Sequence, residues 1–254
     1  MALPKYTEPH YRIWHYIYLT ICAAVFFFLI APLFVIFPLS FNAEEFLVFS
    51  DGMKRLDPDA FSLRWYKDMI YGTKNPWGLA TKNSFIIAIF ATIGSVILGT
   101  VAALGLSSRH MPYKGLIMAV LISPMIVPLI ISGVAIFFFM AKAGLAATHL
   151  GIILAHIILG TPFVTFFKIY FPLTIPGIGA GCLLVFILAI GYYITPALVG
   201  GASGTLISNQ IAFHMKSTLD WSFASAMGLM LLAGVLAVYW VYNKLVGIDN
   251  IKLG

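Results

Sequence analysis

Apolar and polar positions in this chain do not alternate; they gather into blocks. Six apolar blocks run at about Ile17–Leu39, Phe85–Leu106, Leu116–Met140, Leu145–Val164, Gly177–Val199 and Ala224–Val246. Each approaches the roughly 20 residues that a helix rising 1.5 Å per residue needs to cross a hydrocarbon core of about 30 Å. Backbone amides have no water to bond with inside lipid, so blocks of this length are expected to be helices rather than open strands. The pattern predicts an all-α membrane protein with six transmembrane helices in one domain over residues 1–254.

Between the blocks lie short links and one long polar segment, Ser40–Lys82, with six cations and six acids. Within it, FSLRWYKDMI predicts a short helix capped by Ser62, with Trp65 and Tyr66 near the headgroups. Two readings of this segment stay open, a folded surface loop and a docking surface for a soluble partner. The second block carries Ala88, Ala91, Gly94, Gly99 and Ala102, small residues that let helix backbones approach closely. Pro124 and Pro128 break or kink the third block, and Thr161-Pro162 with Pro172 and Pro176 predicts the end of one helix and the start of the next. Pro196–Trp221 reads as a Gly-rich loop holding Asp220, before the last helix.

Composition sharpens the class. Only 9% of residues are charged, 61% are hydrophobic and the mean hydropathy is +0.98, where a soluble domain carries about 25% charged residues. The net charge of +6 is spread over loops and makes no nucleic-acid patch. Cys22 and Cys182 both fall in apolar blocks and read as small buried hydrophobes. No cleavable signal peptide is expected, since the first block is long and no small-residue cleavage site follows it. With both ends in the cytoplasm, seven Lys and Arg fall inside and eight outside. The inside segments are the shorter and denser ones, which favours that orientation.

The chain lacks a G-x-x-x-x-G-K-[ST] loop, and no acid lies within any apolar block. These absences argue against ATP binding by this chain in the P-loop manner and against a carboxylate proton relay. No nucleophile with a base, no paired carboxylate in the membrane and no metal motif is apparent, so the chain is not expected to be an enzyme. His156 is an ionisable group at membrane depth. Such a group is a functional-site candidate, and a neutral histidine hydrogen-bonding across helices is the competing reading.

Taken together, FSLRWY, TKNSFIIAIFATIGSVILGTVAALGLSSR, SPMIVPLIISGVAIFFF, LGIILAHIILGTPFV, FKIYFPLTIPGIGAG, GYYITPALVGG, NQIAF and DWSFASAMGLMLL cover nearly the whole chain. In that order the chain resembles a permease subunit of a bacterial ABC importer, in the spermidine/putrescine-like group. The resemblance implies a six-helix core of the type I importer class in the bacterial inner membrane. Its expected partners are a second permease (as homo- or heterodimer), a dimer of cytoplasmic ABC ATPases that would use the ATP, a periplasmic solute-binding protein and membrane lipid. No cofactor would be bound by this chain.

By the same resemblance Phe167, Lys168, Pro172, Pro176 and Gly177 would lie on the ATPase side, at the coupling region. Tyr192, Tyr193 and Thr195 would lie near the periplasmic gate, with His156 a further candidate for the path. For an amine or polyamine cargo, Tyr192 and Tyr193 could offer cation–π contacts of roughly 0.5–2 kcal/mol each. The chain departs from the family at one place: TPFV runs almost straight into FFKIYFP, and the short E-A-A…G coupling helix expected near 164–167 is missing. A coupling-defective remnant or a membrane scaffold is therefore the alternative function.

Overall fold

The computed structural model describes residues 8–46, 49–72, 76–170, 175–201 and 204–246; the side chains of residues 9, 166–170, 175–178, 245 and 246 are not described. Among the described residues there is no β-strand, only an isolated bridge between Asn42 and Phe61. In chain order the helices are α1 (Pro9–Leu39), α2 (Asp51–Lys54), α3 (Arg64–Tyr71), α4 (Trp77–Ser107), α5 (Lys114–Ile126) and α6 (Leu129–Lys142). They continue with α7 (His149–Tyr170), α8 (Ile175–Gly191), α9 (Ile194–Val199), α10 (Ile207–Phe213), a π-turn (His214–Thr218) and α11 (Trp221–Val246).

Three stretches, His10–Leu39, Trp77–Ser107 and Trp221–Lys244, are long and apolar enough to cross a membrane. The α5–α6 pair makes a fourth when taken as one broken span, bent by 110° at the link between Pro124 and Pro128. The sequence marked this place by two prolines, and the chain turns there because Pro128 has no N–H to continue the ladder of α5. Shorter apolar helices cover His149–Thr165 and Gly179–Gly191.

The packed centre is α4 against α7, with α8 on their flank. Ala88, Ala91, Ser95, Gly99 and Ala103 are buried along α4. A methyl group added at Gly99 would stand 2.6 Å from Cβ of Val164, and one added at Gly160 would stand 2.6 Å from Oγ of Ser95. Neither site has room for a side chain, so the backbones meet as small residues allow. Two hydroxyls then cross the seam: Ser95 Oγ donates to the carbonyl of Ile157 at 3.4 Å, and Thr165 Oγ1 reaches the carbonyl of Gly99 at 3.4 Å.

Several helix boundaries differ from the sequence reading: α1 starts at Pro9 rather than near Ile17, the block read as Gly177–Val199 is split between α8 and α9, and α4 and α7 are each longer than expected. α4 begins at Trp77, well before the apolar block that opens at Phe85, because Asn83 and Ser84 are buried against 205–207 instead of facing water. The expected stop at Thr161-Pro162 is absent, and α7 runs through it to Tyr170. Thr161 Oγ1 bonds the carbonyl of Ile157 at 2.7 Å and Thr165 Oγ1 that of Thr161 at 3.0 Å. A proline is tolerated inside a membrane helix whose freed backbone groups find such neighbours.

Candidate functional site

The candidate gate residues meet at a break between helices. α8 ends at Gly191 and α9 begins at Ile194, so Tyr192 and Tyr193 interrupt the helical ladder. Their carbonyls are taken up from α10: Ser208 Oγ donates to Tyr192 O at 2.6 Å, and Asn209 Nδ2 donates to Tyr193 O at 3.1 Å. α10 is itself held by α4, where Asn83 Nδ2 donates to Thr205 O at 3.2 Å and Ser84 Oγ accepts the N–H of Ile207 at 2.8 Å. The stretch from Pro196 to Trp221 is thus largely folded, as α9, α10 and a π-turn, where the sequence suggested a Gly-rich loop. Side-chain amides and hydroxyls far apart in the chain supply the bonds a loop would have drawn from water.

His156 projects from α7 onto this break. It is fully buried, and its ring meets that of Tyr192 edge-on, centroids 4.8 Å apart at 64°. Neither ring nitrogen has a hydrogen-bond partner among the described residues, and the same holds for the buried hydroxyl of Thr195. The hydrogen bond across helices expected of His156 is replaced by this aromatic contact. Tyr193 faces outward instead: Lys216 lies 5.0 Å from its ring centroid, with Nζ 3.4 Å from the phenol oxygen. The fold therefore brings His156 and Tyr192 together and leaves Tyr193 in a separate, more exposed contact.

The coupling-region residues occupy the opposite turn. Phe167 and Lys168 fall in the last turns of α7, and Pro176 and Gly177 in the first turn of α8, with no description of the first two side chains or of Pro176. Pro172 lies outside the described residues. Helix α7 passes through 164–167 without interruption, and only residues 171–174 separate it from α8.

The long polar segment folds onto the start of α11. Trp65 and Met69 of α3 are buried with Phe223, Ala226 and Met227 of α11. Trp65 Nε1 donates to Asn42 O at 2.8 Å, and Tyr66 OH donates to Ser40 Oγ at 2.8 Å, tying α3 to the end of α1. The hydroxyl of Ser62 accepts the N–H of Arg64 at 3.1 Å, close to the capping role read from the sequence, while α3 starts at Arg64 itself. Arg64 pairs with Glu45 at 3.0 Å. Among the described residues no group of three or more His, Cys, Asp or Glu is placed to hold a metal. Sequence reasoning did not single out Ser208 and Asn209 as carbonyl partners of the break; a polar pair opening a predicted loop gives no local sign of what it will bond.

No family model matches the chain. It is 44% identical over 89 residues to the spermidine/putrescine transport system permease protein PotB of Escherichia coli, covering 32% of this chain and 30% of that protein. It is 23% identical over 223 residues to an ABC transporter permease protein of Pyrococcus horikoshii, covering 76% of this chain and 81% of that one. A Haemophilus influenzae protein named as the ferric transport system permease FbpB 1 is 37% identical over 86 residues, 32% of this chain and 13% of its own length. The match spans about a third of the length of the polyamine permeases and most of the length of the archaeal one. The chain is thus similar to ABC transporter permeases, at 44% identity over a third of its length and at 23% identity over three quarters of it.

Proposed function

We propose that this chain is a permease subunit of a binding-protein-dependent ABC importer in a bacterial inner membrane. The observation that carries the reading is the 223-residue similarity to an ABC permease, reinforced by the 89-residue match to polyamine permeases. In this reading α1, α4, the bent α5–α6 pair, α7, α8 with α9, and α11 are the six crossings, and both chain ends lie in the cytoplasm. Two permeases would enclose the path, with ATP bound and hydrolysed by separate ATPase subunits and solute delivered by a periplasmic binding protein. A small amine such as spermidine or putrescine is the cargo class named by the polyamine relatives.

Within the path, Tyr192, Thr195 and His156 form the gate, because a helix break gives the element a place to hinge and His156 seats against it. Tyr193 with Lys216 belongs to the exposed rim. The test is uptake of labelled spermidine and putrescine by cells carrying the partner ATPase, second permease and binding protein, with and without this chain. ATP-dependent uptake that needs the chain is expected; uptake identical in its absence contradicts the reading.

A second reading has its own observation. α7 runs through 164–167 and four residues join it to α8, so that among the described residues no element of the kind that would dock on an ATPase lies between them. A remnant or scaffold without coupled transport follows from that geometry. Inserting a coupling helix between Val164 and Phe167 separates the two readings: recovered uptake supports a damaged permease, and unchanged absence of uptake supports the scaffold.

A further inference from the structure

The short helix α9 lies between two places where the chain can turn. On one side Tyr192 and Tyr193 interrupt the helical ladder. On the other stand Gly200 and Gly201, the latter at φ +57°, a left-handed conformation that glycine adopts freely. A helix with a pivot at each end can move as a unit unless something outside it holds it.

Residues 208–216 hold it at the first pivot. Ser208 Oγ donates to Tyr192 O at 2.6 Å and Asn209 Nδ2 donates to Tyr193 O at 3.1 Å. The same Tyr193 carbonyl accepts the N–H of Ala197 at 3.1 Å, so Asn209 grips the first turn of α9 together with the break. Lys216 sits 5.0 Å from the Tyr193 ring centroid, at the outer side of the pivot. The gripping segment is itself fixed at both ends. Asn83 Nδ2 on Thr205 O and the Ile207 N–H on Ser84 Oγ tie it to α4. His214 ties it to the head of α11, through a ring contact with Phe223 at 4.7 Å and a carbonyl that accepts the Asp220 N–H at 2.9 Å.

We propose that residues 205–216 are a strap that holds the α8–α9 break closed, with Ser208 and Asn209 as positioning residues and Asn83 as an anchor. The inference rests on the reading of this break as the gate of a permease. Ser208 and Asn209 act through backbone carbonyls of the gate, and neither has to touch cargo. Carbonyls deprived of their donors away from water are costly, so the strap biases the break toward the closed geometry. Opening then requires α10 to shift relative to α8, and α4 controls that shift because α10 is bonded to it.

The test is hydrogen exchange of the full chain in lipid nanodiscs, run beside uptake of labelled spermidine by the same variants in cells carrying the partner subunits. In Ser208→Ala and in Asn209→Ala the amides of residues 194–199 should exchange about two- to tenfold faster for the bond lost. Residues 87–103 and 152–164 should keep their wild-type protection. Asn83→Ala touches nothing at the break and should still loosen residues 194–199, whereas Ser208→Thr keeps the hydroxyl and should protect them as the wild type does. Spermidine accumulation should fall in the loosened variants, because a gate that does not close lets cargo back out. Unchanged exchange at 194–199 in the three alanine variants, loosening spread evenly through α4 and α7, or a Ser208→Thr chain as loose as Ser208→Ala would overturn the strap and leave the permease reading standing. Loosening confined to 194–199 with wild-type uptake would instead overturn the gate, and with it the strap's role.

Discussion

α1 and α4 are both 31 residues long and both strongly apolar, with mean hydropathies of 2.8 and 2.4 over the most apolar stretch of each. Yet none of the most apolar window of α1 is buried within the chain, against 28% of that of α4. Hydropathy does not separate them; side-chain size does. α1 presents Phe26, Phe27, Phe28, Phe34 and Phe37, all exposed, whereas α4 turns Ala88, Ala91, Ser95, Gly99 and Ala103 toward α7 and α8. Lipid is as apolar as a phenylalanine, so a membrane helix gains by burial only where small residues let the backbones close in. α1 is held at one end instead, by the bonds from Trp65 and Tyr66 to Asn42 and Ser40.

That contrast can be broken most severely at the grip on α1. Trp65→Ala empties the contact with Phe223 and removes the bond to Asn42, and a buried Trp→Ala change costs about 3–5 kcal/mol. The unfolding midpoint in mild detergent should fall accordingly, and protease should cut the polar segment faster. Next is Gly99→Leu, which forces atoms into Val164 and should cost about 1–3 kcal/mol, while Ala24→Leu on exposed α1 should stay within about 0.5 kcal/mol. Equal midpoint shifts for the two would remove the distinction between packed and lipid-facing helices.

A smaller and opposite effect is expected at His156. Leaving a buried polar group without a partner costs about 1–3 kcal/mol, so His156→Phe should raise the unfolding midpoint while uptake falls. A lower midpoint would mean that the imidazole is satisfied in the folded protein. The smallest effect belongs to Arg64→Ala: the Arg64–Glu45 pair is well exposed, and such pairs contribute about 0–1 kcal/mol, an effect that added salt should shrink.

The broad class was legible because the apolar blocks are long and the small residues of α4 stand in plain sequence. So was the break at Pro124 and Pro128, since a missing N–H is a local fact. Pro162 misled because its effect depends on what surrounds it: Thr161, Thr165 and the close approach of α4 let α7 pass through. The fold of the segment after Pro196 was hidden for a similar reason. Its order comes from Asn83 and Ser84, more than a hundred residues earlier, and no periodicity records a bond of that reach. His156 was legible as a candidate, but its edge-on seat against Tyr192 depends on the α8–α9 break.

In the proposed function the chain works as one subunit of a machine whose energy comes from another. The direct measurement is ATPase activity in the complex recovered from native membranes through an affinity tag on this chain. Vanadate-sensitive hydrolysis that co-elutes with the chain, together with a nucleotide-binding subunit in stoichiometric amount, is the predicted result. A chain that elutes alone and without hydrolysis, from membranes that contain that ATPase, would contradict it.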